Sequence, residues 1–192
     1  MKKLKIILIS ILFATGFISG CTDLSTNDKA TETTFFDISL FNVTLVEQDF
    51  TTSFTKVMEN YTTELTTVEN ITGNEITWEI LEQYSVTFYI NITNGVMETL
   101  LKLNSSEKAY NLTLLSKNNL LGVNYTQQSI ETIGDISFLL NRTITYQNNE
   151  SQYYTLLFSI GNIFVALGGS APKQSTFITY AKTIESNILN VI

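Results

Sequence analysis

Tyr153-Tyr154-Thr155-Leu156-Leu157-Phe158-Ser159-Ile160-Gly161-Asn162-Ile163-Phe164-Val165-Ala166-Leu167 is the stretch on which the fold turns. Two β-rich runs flank a Gly-Asn pair, which suits a primed two-residue turn because that turn needs positive φ. A two-residue loop then sets Ile160 opposite Ile163, Phe158 opposite Val165 and Leu156 opposite Leu167. All six are apolar and share one face, so turn chemistry and alternation agree. The other face holds Leu157, Phe164 and Ala166 with Thr155 and Ser159, which predicts partial cover there too.

Working outward, Ile136 to Tyr146 alternates as well. Ile136, Phe138, Leu140, Ile144 and Tyr146 share a face with Arg142 the exception, and Ser137, Asn141, Thr143 and Thr145 share the other with Leu139 the exception, so a half-buried strand is expected. Val86, Phe88, Ile90 and Ile92 alternate with Thr87, Tyr89, Asn91 and Thr93, and Asn94-Gly95 reads as a turn into Val96–Leu103. Two helices are expected. Asn104 with Glu107 resembles a capping box ahead of Ala109, Leu112 and Leu115, ending before Gly122. Ser175, as N-cap after Pro172, leads a stripe of Phe177, Ala181, Ile184 and Ile188. Residues 37–80 stay ambiguous: Ile38 to Leu45 suggests a first strand, and Phe54 to Leu65 fits strand or helix. Hairpin-linked strands with segregated helices indicate an α+β fold. The expected sheet is mainly antiparallel, about five to seven strands, with two or three helices and the C-terminal helix packed on it.

This order loosely resembles the small sheet-and-helix lipoprotein domains related to PsbP and LpqN. Its pieces are Ile133-Gly134-Asp135, Phe158-Ser159-Ile160-Gly161-Asn162 and the final helix Phe177 to Leu189, within roughly Tyr84 to Leu189. The resemblance carries no catalytic residues to transfer.

The N-terminus states an address. Lys2, Lys3 and Lys5 precede an apolar run, Ile6 to Ile18, and then Ser19-Gly20-Cys21. A basic n-region, a short apolar h-region and small residues read as a secretory signal. The run is too short for a spanning helix, which needs about 20 apolar residues. The small pair before the only cysteine resembles the lipobox of prokaryotic lipoproteins, which implies cleavage before Cys21 and lipidation of its thiol. The expected organisation is a signal peptide at 1–20, a lipidated cysteine and flexible Thr-rich tether at 21–34, and a single α+β domain at 35–192. The expected location is extracytoplasmic, lipid-anchored to the outer face of the cell membrane.

Composition excludes several chemistries. There is no histidine and one cysteine, so no Ser-His or Cys-His pair, no His metal ligand and no internal disulfide exists. The formal charge is -7, and losing the three lysines of residues 1–20 leaves -10. Such a surface repels phosphates, so nucleic acid is not an expected partner. Acidic residues are scattered, without metal-ligand spacing, and nothing calls for a cofactor. Three SxxK pairs occur, Ser53-Lys56, Ser105-Lys108 and Ser170-Lys173, without companion motifs. Glu79 with Glu82 would share a face if helical, and Gly134-Asp135 shapes a turn. No catalytic residue is assigned. Trp78 and the nine tyrosines serve mainly as core.

Nine Asn-X-Ser/Thr triplets begin at Asn42, Asn60, Asn70, Asn91, Asn104, Asn111, Asn124, Asn141 and Asn149. Random placement at this composition gives about four. Strand alternation rich in Asn and Thr also generates such triplets. A lipobox with many sequons fits an archaeal surface lipoprotein better than a bacterial one, and makes these nine candidate N-glycosylation sites.

Three function classes remain. A non-enzymatic envelope module, binding another envelope protein, a glycan or a small ligand, predicts an exposed apolar or aromatic patch. A carboxylate-dependent hydrolase of the glycosidase kind predicts facing carboxylates about 5–10 Å apart. A transporter's ligand-binding component predicts a hinge between lobes.

Overall fold

The computed structural model describes residues 34–50, 54–71, 74–89, 95–146, 149–170 and 174–192. Its strands are β1 (Thr55–Ile71), β2 (Asn74–Tyr89), β3 (Gly95–Leu103), β4 (Thr126–Gln128), β5 (Ile136–Tyr146), β6 (Asn149–Ile160) and β7 (Ile163–Ser170). They form one antiparallel sheet in the order β1-β2-β3-β7-β6-β5-β4. Helix α1 (Ser106–Leu121) follows β3, and α2 (Gln174–Val191) follows β7. The fold is therefore broadly α+β, dominated by its sheet.

The β6–β7 hairpin has the register its sequence demands: Ile160 faces Ile163, Phe158 faces Val165 and Leu156 faces Leu167. These six side chains are buried in a core that also takes Phe177, Ala181, Ile184 and Ile188 of α2. The α2 stripe thus packs on the sheet, joined by Tyr180. The opposite hairpin face is covered as well. Leu157 and Phe164 join Ala109 and Leu112 of α1 in a second core with Trp78, Ile80, Leu103 and Leu140. Strand β5 is consequently not half-buried in the expected sense. Leu139 enters the α2-side core and Leu140 the α1-side core, because each face has its own helix.

Strand β2 changes allegiance partway along. Trp78 and Ile80 belong to the α1-side core, while Tyr84, Val86 and Phe88 belong to the α2-side core. All five are even-numbered, so unbroken alternation would put them on one face. A register shift reverses the phase: Ile80 pairs with Leu103 and Glu82 with Lys102, leaving Leu81 without a partner in β3. Across in β1, Glu64 takes a positive φ of 56° between the pairs Thr63–Glu82 and Leu65–Ile80.

Several local expectations shift. Ile38 to Leu45 is not a strand. Residues 34–50 form a strap with 3-10 turns at Leu40–Asn42 and Glu47–Asp49. The strap sends Phe36, Leu40, Val43, Leu45 and Phe50 into the α2-side core. Phe54 to Leu65 resolves as strand, since Thr55 to Leu65 lies within β1. The N-cap of α1 is Ser105, whose hydroxyl accepts from Lys108 N at 3.2 Å, while Asn104 turns its amide to Glu79. Ser175 lies inside α2, and its carbonyl accepts from the Thr179 hydroxyl. Gly95 is the first residue of β3 and pairs with Tyr89, so it belongs to the strand and not to an Asn-Gly turn. Ile90, Asn91, Ile92, Thr93 and Asn94 lie outside the described residues. Asn149 opens β6 and pairs with Tyr146. Gly134-Asp135 does shape the entry to β5: Gly134 has φ +63°, and the Asp135 carboxylate accepts from Gly161 N at 2.7 Å.

The hairpin turn also anchors the strap. Gly161 holds φ +53°, and a Cβ there would lie 2.5 Å from the Phe36 ring. Asn162 is fully buried; its Oδ1 accepts from Phe36 N at 2.7 Å and its Nδ2 donates to Leu103 O at 3.0 Å. Asn162→Ala strips both partners. Each buried group left unpaired costs about 1–3 kcal/mol. The expected loss is about 2–4 kcal/mol by urea denaturation with an unchanged slope; a loss under about 0.5 kcal/mol would show that the clip is not needed.

Candidate functional site

A non-strand segment covering a sheet must find partners for its backbone N–H groups. The strap finds them in carboxylates of β2 and β3. Leu40 N donates to Glu82 Oε1 at 2.8 Å, joined by the Ser39 hydroxyl at 3.0 Å. Leu45 N donates to Glu98 Oε2 at 3.0 Å, joined by the Thr44 hydroxyl at 2.8 Å. Lys102 Nζ completes the first station, 2.9 Å from Glu82 Oε2 and 3.0 Å from Ile38 O.

Between the strap and β1–β2 lies a groove of about 310 Å³. Phe41 and Val46, exposed by 59% and 48%, stand at its mouth. Leu45, Tyr84 and Phe88 line its buried floor. Lys56 ties its charged wall together, since its backbone N donates to Glu47 Oε1 at 3.0 Å and its Nζ to Glu59 Oε2 at 2.9 Å. The Tyr84 hydroxyl donates to Glu59. The Phe41 ring stands edge-on to Tyr84, with centroids 6.0 Å apart.

The electrostatics of the two strap carboxylates differ. Burial pushes Glu82 up, but the bonds from Lys102, Leu40 N and Ser39 outweigh it and hold Glu82 below the usual carboxylate range. Among the described residues no lysine pairs with Glu98. Burial pushes it up to about 7, against the pull of Thr44 and Leu45 N, with Asp49 repelling it further. Glu59 is held low by Tyr84 and Lys56, and Tyr84 is pushed up by burial and by Glu59. Thr44 lines the groove while its hydroxyl serves Glu98, so the buried acid lies one side chain below the groove.

A second groove, about 380 Å³, lies beside β5 and is lined by Val123, Asn124 and residues 142–145. Arg142 stacks there over Tyr125, 4.8 Å from the ring centroid.

The residues singled out from sequence scatter. Cys21 lies outside the described residues, as do Ser53 and Lys173 of two SxxK pairs. The third, Ser105-Lys108, is the α1 cap. Glu79 and Glu82 lie on a strand: Glu82 is buried in the strap station, and Glu79 is exposed beside Lys108 at 3.9 Å. Trp78 is buried, as core. Asn42, Asn60, Asn111 and Asn124 are exposed, and Asn104 and Asn141 are half-buried. The side chains of Asn70, Asn91 and Asn149 lie outside the description. Glu98 escaped sequence reading, although Val96-Met97-Glu98-Thr99-Leu100 puts a carboxylate in phase with two apolar residues. Among the described residues no three His, Cys, Asp or Glu side chains are placed to hold a metal, and no helix is long and apolar enough to cross a membrane.

A carboxyl group whose folded pKa is raised destabilises the fold as pH climbs from its unfolded value to its folded one. For Glu98 that window runs from about 4.5 to about 7, and the loss is about 3 kcal/mol. Glu98→Gln removes the charge and keeps an acceptor for Leu45 N. The variant should gain about 1–3 kcal/mol over the parent at pH 8 and lose that advantage at pH 4.5. Equal differences at the two pH values in urea unfolding would contradict this.

Comparison of the chain with protein-family models, with curated proteins and with solved structures finds no match.

Proposed function

We propose that the chain is a prokaryotic surface lipoprotein, anchored through Cys21 outside the cell membrane, whose domain is a non-enzymatic binding or accessory module of the envelope. The anchor rests on the Lys-rich n-region, the short apolar run and Ser19-Gly20-Cys21. Two lipid chains at one cysteine hold a protein stably, where one holds it marginally. The observation carrying the binding role is the groove under the strap, which joins an exposed aromatic at its mouth to a charged wall and a buried floor. Such a surface suits recognition, since aromatic anchors beside apolar pockets dominate interface energetics.

The groove's carboxylates favour binding over hydrolysis. Glu59 spends both oxygens on Tyr84 and Lys56, and Glu47 accepts from Lys56 N. A hydrolase reading would have to recruit Glu98, which Thr44 and the strap cover. A transporter component closing between lobes is less favoured, because all the described strands belong to one sheet. The loose resemblance to PsbP- and LpqN-like domains rests on element order alone, which from Val86 onward runs two strands, a helix, further strands and a final helix.

Cys21→Ser should move the protein from membranes to the soluble extracytoplasmic fraction; unchanged membrane retention refutes the anchor. Phe41→Ala should leave the thermal midpoint within a few degrees. It should cut recovery of a partner co-purified from detergent-solubilised membranes by about tenfold. Undiminished recovery removes the groove from the binding role.

A further inference from the structure

An N-glycosylation triplet presents two groups, the asparagine amide and the hydroxyl two residues on. In a folded protein both must be reachable. Among the six triplets with described side chains, the fold withholds one group or the other in four. The Thr44 hydroxyl of the Asn42 triplet is buried against Glu98. The Thr113 hydroxyl of the Asn111 triplet is wholly buried and donates to Ala109 O at 2.9 Å. The half-buried Asn104 donates its amide to Glu79. Asn141 donates to Gln152 Oε1 at 3.3 Å and accepts from Gln128 Nε2 at 2.9 Å.

Two triplets stay open. Asn60 is exposed on β1, and Thr62, half-buried and with no hydrogen bond to its hydroxyl among the described residues, lies two residues along the same extended face. Asn124 is exposed in the turn after α1 at φ +66°, and Thr126, exposed, opens β4.

These two positions coincide with the open edges of the sheet. β1 is one outer strand, 17 residues long, and it exposes Val57, Met58 and Tyr61. At the other side β4 pairs with only Leu139, Leu140 and Asn141 of β5. The following residues, Arg142 to Thr145, have β6 on one side and the second groove, rimmed by Asn124, on the other. Long open edges invite pairing with other chains, and proteins blunt them with bulges, charges or cover. β1 already has Lys56, Glu59 and a register shift between Lys56 and Met58. Among the described residues β5 has the short β4 alone along its outer edge.

We propose that Asn60 and Asn124 are N-glycosylated after the domain folds, and that the two glycans shield the sheet's open edges from association. The proposal rests on the extracytoplasmic reading above. The donor class is a lipid-phosphate-linked oligosaccharide. The Asn amide nitrogen forms a bond to the anomeric carbon, the bond from that carbon to phosphate oxygen breaks, and the lipid phosphate leaves with the electron pair. The displaced amide proton passes to a base of the transferase.

The test is mass-spectrometric site mapping of the protein from membranes of its own cells, with size-exclusion chromatography of variants. Asn60 and Asn124 should carry glycans, and Asn42 and Asn111 none. N60Q/N124Q and, independently, T62A/T126A should lose both glycan masses and elute as larger species than the parent. T62S/T126S, which keeps both triplets, should match the parent. Bare Asn60 and Asn124 on a lipidated, membrane-bound protein overturn the proposal and leave the anchor reading standing. An unlipidated protein inside the cell overturns both. A glycan on Asn42 or Asn111 overturns modification after folding. Unchanged elution of both glycan-free variants overturns the shielding role.

Discussion

The carboxylate-to-backbone contact is the constraint on which the rest depends. A strap of non-strand chain lies across one face of the sheet and brings five large apolar side chains into the core. That burial is favourable only if the strap's own N–H groups are not stranded away from water. Among the described residues no strand backbone supplies an acceptor to Leu40 N or Leu45 N. Glu82 and Glu98 do so instead, from adjacent strands. Asn162 does the same for Phe36 from the β6–β7 turn. Three side chains, each far along the chain, take the place of a sheet partner.

Glu82 is in position only because β2 is out of phase with itself. Without the shift between Ile80 and Glu82, the carboxylate would lie on the face of Trp78, toward α1. The shift turns Glu82, Tyr84, Val86 and Phe88 toward the strap while leaving Trp78 and Ile80 to close the α1-side core. One residue without a cross-strand partner thus lets a single strand serve two cores. The groove follows from the same event, because its floor residues Tyr84 and Phe88 lie beyond the shift.

What was legible follows from how local each signal is. The β6–β7 hairpin could be read because turn and alternation lie within fifteen adjacent residues and agree. The α2 stripe could be read because helical period needs no partner. The strap could not. Ile38, Leu40, Val43 and Leu45 look like a strand, and what makes them otherwise is a hydrogen-bond partner 42 positions away for Leu40 and 53 for Leu45. The β2 shift was hidden for a related reason: a bulge is defined against the neighbouring strand, which periodicity along one segment does not see. Of the groove, sequence reading reached none of the geometry. Glu98 alone left a trace, as a carboxylate in the buried phase of β3.

The two strap stations are built alike and differ in one group. Glu82 has Lys102 beside it, so its charge is compensated where it is buried. Glu98 has only hydrogen bonds, from a hydroxyl and one N–H. An uncompensated buried carboxylate is costly, and hydrogen bonding offsets part of that cost. The cheaper arrangement would be a second lysine or an apolar residue with a different strap path. Glu98 instead weakens the fold as it ionises near neutral pH. The weaker station is also the one next to the groove, through Thr44. The strap thus has an ion pair beneath Leu40 and only hydrogen bonds to a titratable carboxylate beneath Thr44–Leu45, the stretch that forms the groove wall.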